Sequence, residues 1–324
     1  MLSRRSLLAV PLLAAPPLAA PALAQERFPS RPLRLIIPVG VGGVTDVVGR
    51  ILAEAMAQRL GKPVVPEAIP GAGSRVGAAA FMRLPADGYS FFIGTNNHPV
   101  MQAMDKDFAF NPVTDFVPFC LAGRQPFMLA VHPSVPAQDL PGLLAWLRQQ
   151  KDAANYGATN PGASNHLAGE LFKQLSGMEF TVVPYRTAAN AVQDLVAGRM
   201  NFTIDSPTML RPLMQDGRVR GLAVTGADRS EMLPGLPTIS ESGVPGYDMT
   251  AWQVLFAKPG TPPEALAVLT ETARQVVTDP VVKERLLRAG VETWPDPSPA
   301  AAMAHVQAEV ARWAPIVARM GLAN

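Results

Sequence analysis

The stretch "LRLIIPVGVGGVTDVVGR", Leu33 to Arg50, joins an apolar run to a helical pattern through three glycines in four positions, Gly40, Gly42 and Gly43. "LRLII" reads as a buried strand. Val44, Val47, Val48, Ile51, Leu52, Ala55 and Met56 follow helical spacing, and Gly61 and Pro63 end that helix. A strand, a glycine turn and a helix start form a place where backbone N–H groups can meet an anion. A dinucleotide fingerprint needs a third glycine two residues further on; Thr45 stands there, and no phosphate-loop lysine accompanies the turn. The stretch therefore predicts an anion site smaller than a nucleotide site. For Thr45 and Asp46 two readings stand, as caps of the helix or as ligand contacts.

The same alternation continues outward. "SFFIGT", "FMLAVH", "ANYGAT", "FTVVPY", "MNFTID", "GLAVTG" and "WQVLFAK" read as strands. "LPGLLAWLRQQ", "NHLAGELFKQL" and "AANAVQDLVAG" read as helices, and the chain from Pro263 to Leu322 reads as mostly helical, broken or kinked at Pro280 and Pro315. Strand–helix alternation predicts an α/β fold with mostly parallel sheets. The 324 residues suggest two domains. Turn-rich interruptions at "AGRQP" and "GVPGY" mark where the chain leaves one and returns.

Residues 1–24 carry Arg4 and Arg5, a proline-broken apolar stretch and a small-residue end at Ala22-Leu23-Ala24. This predicts an export signal, general or twin-arginine, rather than a membrane span. Its removal lowers the 28 basic residues by two, to match the 26 acidic ones. A neutral chain has no global field for nucleic acid or anionic lipid, so any anion must be held locally. Cys120 is the only cysteine, which excludes an internal disulfide and a thiolate metal cluster.

Further loops at strand ends carry small polar residues: Thr95, Asn96 and Asn97 in "GTNNHPV", Ser164 and Asn165 in "GATNPGASNHLAGE", Arg186 and Thr187 in "PYRTAANAV", and Asp205 in "FTIDSP". In α/β sheets ligands collect beyond the carboxyl ends of strands. Arg186 reads either as a surface charge or as a carboxylate partner, and His166 as a packing residue. The histidines lack metal-ligand spacing, and neither G-x-S-x-G nor H-E-x-x-H occurs. Trp252 reads as core, with a cleft wall as the alternative.

In order and spacing, "FPSRPLRLIIPVGVGGVTDVVGRILAEAM", "PGAGSRVGA", "ADGYSFFIGT", "NYGATNPGASNHLAGELFK", "VPYRTAANAVQDLVAGRMNFTIDSP" and "GLAVTGADRSEMLPGLPTISESGVPGY" resemble the Bug (TctC-like) extracytoplasmic solute receptors of tripartite tricarboxylate transporters. The resemblance implies a type II-like periplasmic-binding-protein Venus flytrap. Residues 25–124 and 246–324 would form its first lobe and 125–245 its second. It implies a monomeric, non-enzymatic receptor without cofactor or metal, which captures a small organic acid in the periplasm for a membrane permease. The alternatives are a ligand-loaded partner of a sensor kinase and an exported enzyme acting on a carboxylate. Carried over by position, the ligand loops fall on Gly42, Gly43, Thr45, Asp46, Thr95, Asn96, Ser164, Asn165, Thr187, Ala188 and Asp205. Val39 stands where the family usually has an aromatic residue, which leaves room for a bulkier acid.

Overall fold

The computed structural model describes residues 27–71, 74–99, 110–111, 113–159 and 163–319. The export signal and the Pro161-Gly162 turn lie outside the described residues. Two five-stranded sheets organise the chain. The first contains β1 (Leu33–Ile37), β2 (Val64–Ala68), β3 (Ser90–Gly94), β4 (Val117–Pro126) and β10 (Thr250–Ala257), in the order β2-β1-β3-β10-β4. The second contains β5 (Met128–Val131), β6 (Asn155–Ala158), β7 (Thr181–Pro184), β8 (Phe202–Asp205) and β9 (Arg220–Val224), in the order β7-β6-β8-β5-β9. The fold is α/β, with two sheets each flanked by helices, as expected from the sequence.

In each sheet the strands followed by crossover helices are parallel: β1 pairs with β2 and β3, and β6 with β7 and β8. β10 runs antiparallel to β3 and β4, and β5 antiparallel to β8 and β9. These exceptions follow from the path between sheets. β4 runs directly into β5 through Phe127, and the chain returns to the first sheet at β10. A strand that enters a sheet from its neighbour, rather than over a crossover helix, is free to pair antiparallel.

Helix α1 (Val44–Leu60) turns Val48, Ile51, Leu52, Ala55 and Met56 inward against Leu33, Leu35 and Ile37 of β1. Gly61 closes it in the left-handed conformation at φ 64°, where a side chain would be strained. Helix α2 (Arg75–Met82) packs its Ala78 and Phe81 into an aromatic cluster with Phe92, Phe116 and Phe256. The second sheet carries α3 (Leu140–Gln150), α4 (Ser164–Ser176), α5 (Ala188–Val196) and α6 (Pro207–Gln215). Tyr156 of β6 is fully buried there and donates from its hydroxyl to the Asn165 carbonyl.

The C-terminal part is helical, as its sequence predicts: α7 (Pro263–Thr278), α8 (Pro280–Arg288) and α9 (Pro299–Arg319). Pro280 opens α8, where its missing N–H costs nothing. Residues 246–324, expected with the first lobe, contribute to both cores. Ala302 and Val306 of α9 join the first sheet's aromatic cluster, whereas Trp313 packs with Tyr247 and Met249 in the core of the second sheet.

Three connections therefore tie the sheets together. At the first, the Phe127 N–H donates to Thr225 Oγ1 over 2.7 Å and the Thr225 N–H to the Phe127 carbonyl over 3.0 Å. At the second, the Met249 N–H donates to the Thr225 carbonyl over 2.8 Å. Helix α9 is the third. "AGRQP", a turn by its glycine and proline, is instead the end of β4. Eight register pairs with β10 outweigh the local signal, and the Trp294 indole N–H donates to the Gly123 carbonyl over 3.0 Å.

Candidate functional site

A cleft of about 240 Å³ lies between the sheets. It is lined by Val39, Gly43, Val44 and Thr45 from the end of β1 and the start of α1, and by Thr95, Asn96 and Asn97 after β3. Ser164 at the start of α4 closes it from the second sheet, and Gln125, Ala251, Trp252 and Gln253 of the crossing strands complete it. Among the described residues, no ionised side chain lines this cleft. Hydroxyls, amides and backbone N–H groups supply its polarity.

The helix starts show how. Asp139 caps α3 by accepting from the Gly142 N–H over 2.8 Å, and Thr187 caps α5 by accepting from the Asn190 N–H over 3.3 Å. Ser206 caps α6 by accepting from the Thr208 N–H, and Asp279 caps α8 by accepting from the Val281 N–H. The two helices that reach the cleft have no such cap, a property they share with α2 and α7. Gly43 precedes α1 and Ala163 precedes α4, and neither helix has a side-chain cap. Their first-turn N–H groups keep their partial positive charge for whatever enters. Gly42, at φ 88°, holds the left-handed turn that places this start, and open space surrounds it.

Asp46 does not reach the cleft. It is buried, accepts from the Gly42 N–H over 2.9 Å and pairs with Arg50 at 3.0 Å. The Arg50 hydrogen bond, followed by that from Gly42, holds its carboxyl below the usual range despite some burial. It fastens the glycine turn onto α1, so its charge is committed before a ligand arrives. Asn96 lines the cleft, but its amide is used as a rung of the first sheet. Its Nδ2 donates to the Thr250 carbonyl, and its Oδ1 accepts from the Trp252 N–H, each over 2.9 Å.

Asn165 and Asp205 form a buried pair behind Ser164. Asn165 Nδ2 donates to Asp205 Oδ2 over 2.9 Å, and Asn165 Oδ1 accepts from Thr159 Oγ1 over 2.5 Å and from the Thr159 N–H over 3.2 Å. The Ser206 N–H donates to Asp205 Oδ1 over 2.7 Å. Burial raises the Asp205 pKa, and the Ser206 and Asn165 hydrogen bonds oppose that rise. Thr187 and Ala188 begin α5 outside this cleft. Gly43, Thr45, Thr95, Asn96 and Ser164 thus converge on the cleft, while Gly42, Asp46, Asn165, Thr187, Ala188 and Asp205 do not line it. Arg186 is exposed, and half-buried His166, its pKa lowered by desolvation, also lies off the lining.

Sequence reasoning missed Gln125 and Gln253. The available signal was a lone polar residue inside an otherwise apolar run, "AWQVLFA", and a second in the buried strand "VPFCLAGRQP". Trp252 is fully buried and walls the cleft, which satisfies both of its readings.

The model of the tripartite tricarboxylate transporter family receptor matches residues 48–322. The chain belongs to this receptor family. The receptor is 34% identical to Rpa4515 of R. palustris, solved with adipate, with a TM-score of 0.74 over 91% of this chain and 98% of the other. It is 28% identical to MatC (Rpa3494) from Rhodopseudomonas palustris, solved with bound malate, with a TM-score of 0.71 over 90% and 100% of the two chains. The periplasmic binding protein BugD is 29% identical, with a TM-score of 0.72 over 91% and 99%. The resemblance read from the ordered motifs is thereby shown. Among the described residues of the receptor, no helix is long and apolar enough to cross a membrane.

Proposed function

We propose that this receptor captures a small organic acid in the cleft between its two sheets and delivers it, in the periplasm, to the membrane subunits of a tripartite tricarboxylate-type transporter. One observation carries the reading: the uncapped starts of α1 and α4 line a single cleft that has no ionised side chain of its own. A ligand carboxylate would replace water at the N–H groups of Val44 and Thr45, with the hydroxyls of Thr45, Thr95 and Ser164 as further donors. The binding of adipate by Rpa4515 and of malate by MatC supports the same ligand class here.

The magnitudes agree with a transport role. Each hydrogen bond to a charged group contributes about 1.5–3 kcal/mol. Two or three of them contribute about 3–9 kcal/mol before the cost of ordering the ligand and the lobes, so burial of the ligand's apolar part adds to them in reaching micromolar binding, about −8 kcal/mol. Because the donors come from both sheets, the acid favours their approach, and hinge closure follows from its contacts with each side. Isothermal titration with adipate, malate, hexanoate and benzoate tests this: at least one acid saturates the receptor at one site per chain. Heat from none of them would remove the carboxylate reading.

A further inference from the structure

We propose that Glu309 is a positioning residue for ligand capture, acting through Trp252 of the cleft; the inference rests on the carboxylate reading above. Glu309 lies on α9, which packs along β4, and does not itself line the cleft. It is 2% exposed, a carboxylate inside a protein core. Such a group is costly unless its oxygens are well paired.

Its partners are two indoles. Glu309 Oε2 accepts from the Trp252 indole N–H over 2.9 Å and from the Trp313 indole N–H over 3.0 Å. Glu309 Oε1 lies 2.9 Å from a guanidinium nitrogen of Arg312, yet out of line for a hydrogen bond. That guanidinium is directed to Asp248, donating to its carbonyl over 2.8 Å and to its Oδ2 over 3.2 Å. Arg312 therefore balances the charge, while the indoles set the aim of the carboxylate. Among the described residues no other acceptor serves either indole.

The two indoles belong to different cores. Trp252 packs with Phe92, Phe116 and Phe256 in the cluster of the first sheet, and Trp313 packs in the core of the second. One oxygen thus joins both cores through a fork of two N–H donors. Only one of these donors belongs to a residue that lines the cleft: Ala251, Trp252 and Gln253 line it consecutively. Trp252 is held at its main chain by Asn96, whose Oδ1 accepts the Trp252 N–H over 2.9 Å, and at its ring by Glu309. Without Glu309 a large buried ring keeps an unpaired N–H, and it relieves that cost by shifting. Residues 251 and 253 are bonded to residue 252 and move with it, so the acid meets a different floor. A leucine at 309 would pack without the cost of a buried charge, but it would supply no acceptor. A purely structural role lowers stability and leaves the affinity of the folded receptor unchanged; a positioning role lowers both.

The test measures adipate binding by titration for the wild type, Glu309→Leu and Glu309→Gln, each first shown to be folded by thermal melting. Malate, hexanoate or benzoate serves as the probe where adipate is not bound. Glu309→Leu weakens the acid at least fivefold. Glu309→Gln keeps an acceptor oxygen and binds at least threefold more tightly than Glu309→Leu. A spectroscopic readout needs no variant: in the isotope-labelled wild type the Trp252 indole N–H resonance shifts as the acid saturates the receptor, whereas that of Trp146 in α3, outside the cleft lining, stays in place. A folded Glu309→Leu that loses less than fivefold, a Glu309→Gln within threefold of it, or an unmoved Trp252 resonance in the saturated wild type overturns the inference alone. A wild type that binds none of these acids overturns the carboxylate reading and this inference with it.

Discussion

Asn165→Ala separates a positioning role for the Asn165–Asp205 pair from mere packing. Among the described residues, Asn165 is the one side chain that donates to Asp205 Oδ2, and its own oxygen accepts twice from Thr159. Truncation leaves the Asp205 carboxylate with the Ser206 N–H alone. The lost hydrogen bond to a charged group is worth about 1.5–3 kcal/mol, and each neutral one about 0.5–1.5 kcal/mol. Water entering the vacated space recovers part of this, so a loss of about 3 kcal/mol is expected at pH 7. The pH dependence is the sharper signature. The Asp205 pKa is already raised by burial, and removing a donor to its ionised form raises it further. A carboxyl with a raised folded-state pKa destabilises the fold while ionised, and the penalty disappears as pH falls through that pKa toward the unfolded value. The deficit of Asn165→Ala relative to wild type is therefore largest at pH 7 and narrows toward pH 4. Urea unfolding at pH 7, 5.5 and 4.5 reads it directly. A deficit below about 1 kcal/mol at pH 7, or one that stays constant with pH, would refute the assigned role, because a simple cavity carries no proton dependence.

Gly169→Ala places a methyl group against the Tyr156 ring. Overpacking costs about 1–3 kcal/mol, and because the Tyr156 hydroxyl holds the Asn165 carbonyl at the start of α4, acid affinity measured by titration falls along with stability. His98 is fully buried among Phe92, Phe116 and Phe256, and burial lowers its pKa to about 4. Below pH 6.5 the unfolded chain takes up a proton that the native state refuses, so stability falls by up to about 1.4 kcal/mol per pH unit down to pH 4. Denaturation of His98→Leu between pH 7 and 5 shows a shallower slope than wild type, and parallel slopes would contradict this. Because no ionised side chain lines the cleft among the described residues, the acid affinity changes less than about threefold between 20 and 500 mM salt, since fixed dipoles act at contact range and are screened little. A tenfold weakening in salt-dependent titrations would instead reveal a cationic partner.

The parts of this receptor that can be read from sequence are those set by local chemistry. The strand, glycine turn and helix of residues 33–60 need only their own composition: apolar alternation, a glycine at φ 88° and a glycine stop at φ 64°. The helix start at Ser164 was legible for the same reason, whereas α1 starts at Gly43, ahead of Thr45 and Asp46, which the sequence offered as its caps. The direction of β5 and β10 was not, since it depends on which sheet a strand enters and not on its residues. Nor was the division of labour within the candidate loops. Asp46 and Asp205 share their loops with residues that line the cleft, yet one is committed to Arg50 and the other to Asn165. Such partnerships join residues four and 40 positions apart through the fold. Gln125 and Gln253 escaped because a single polar residue in a buried strand carries no periodic signal.

The connections behind the cleft constrain how its walls can approach. Helix α9 is anchored at both ends, by Ala302 and Val306 in one core and Trp313 in the other. Between these anchors Glu309 accepts from the indole N–H groups of Trp252 and Trp313 over 2.9 and 3.0 Å, and Arg312 pairs with Asp248 at 3.2 Å. Sliding one sheet past the other would break these bonds together. Rotation about the short β4–β5 and Thr225–Met249 crossings preserves them, because those crossings and Glu309 lie close to the strands that serve as the axis. Gly43 belongs to the start of α1 on the first sheet and Ser164 to the start of α4 on the second, so such a rotation changes their separation across the cleft. The same strands carry Gln125 and Gln253 on the cleft floor, so a rotation about them leaves that floor nearly unchanged while the start of α4 moves relative to the start of α1.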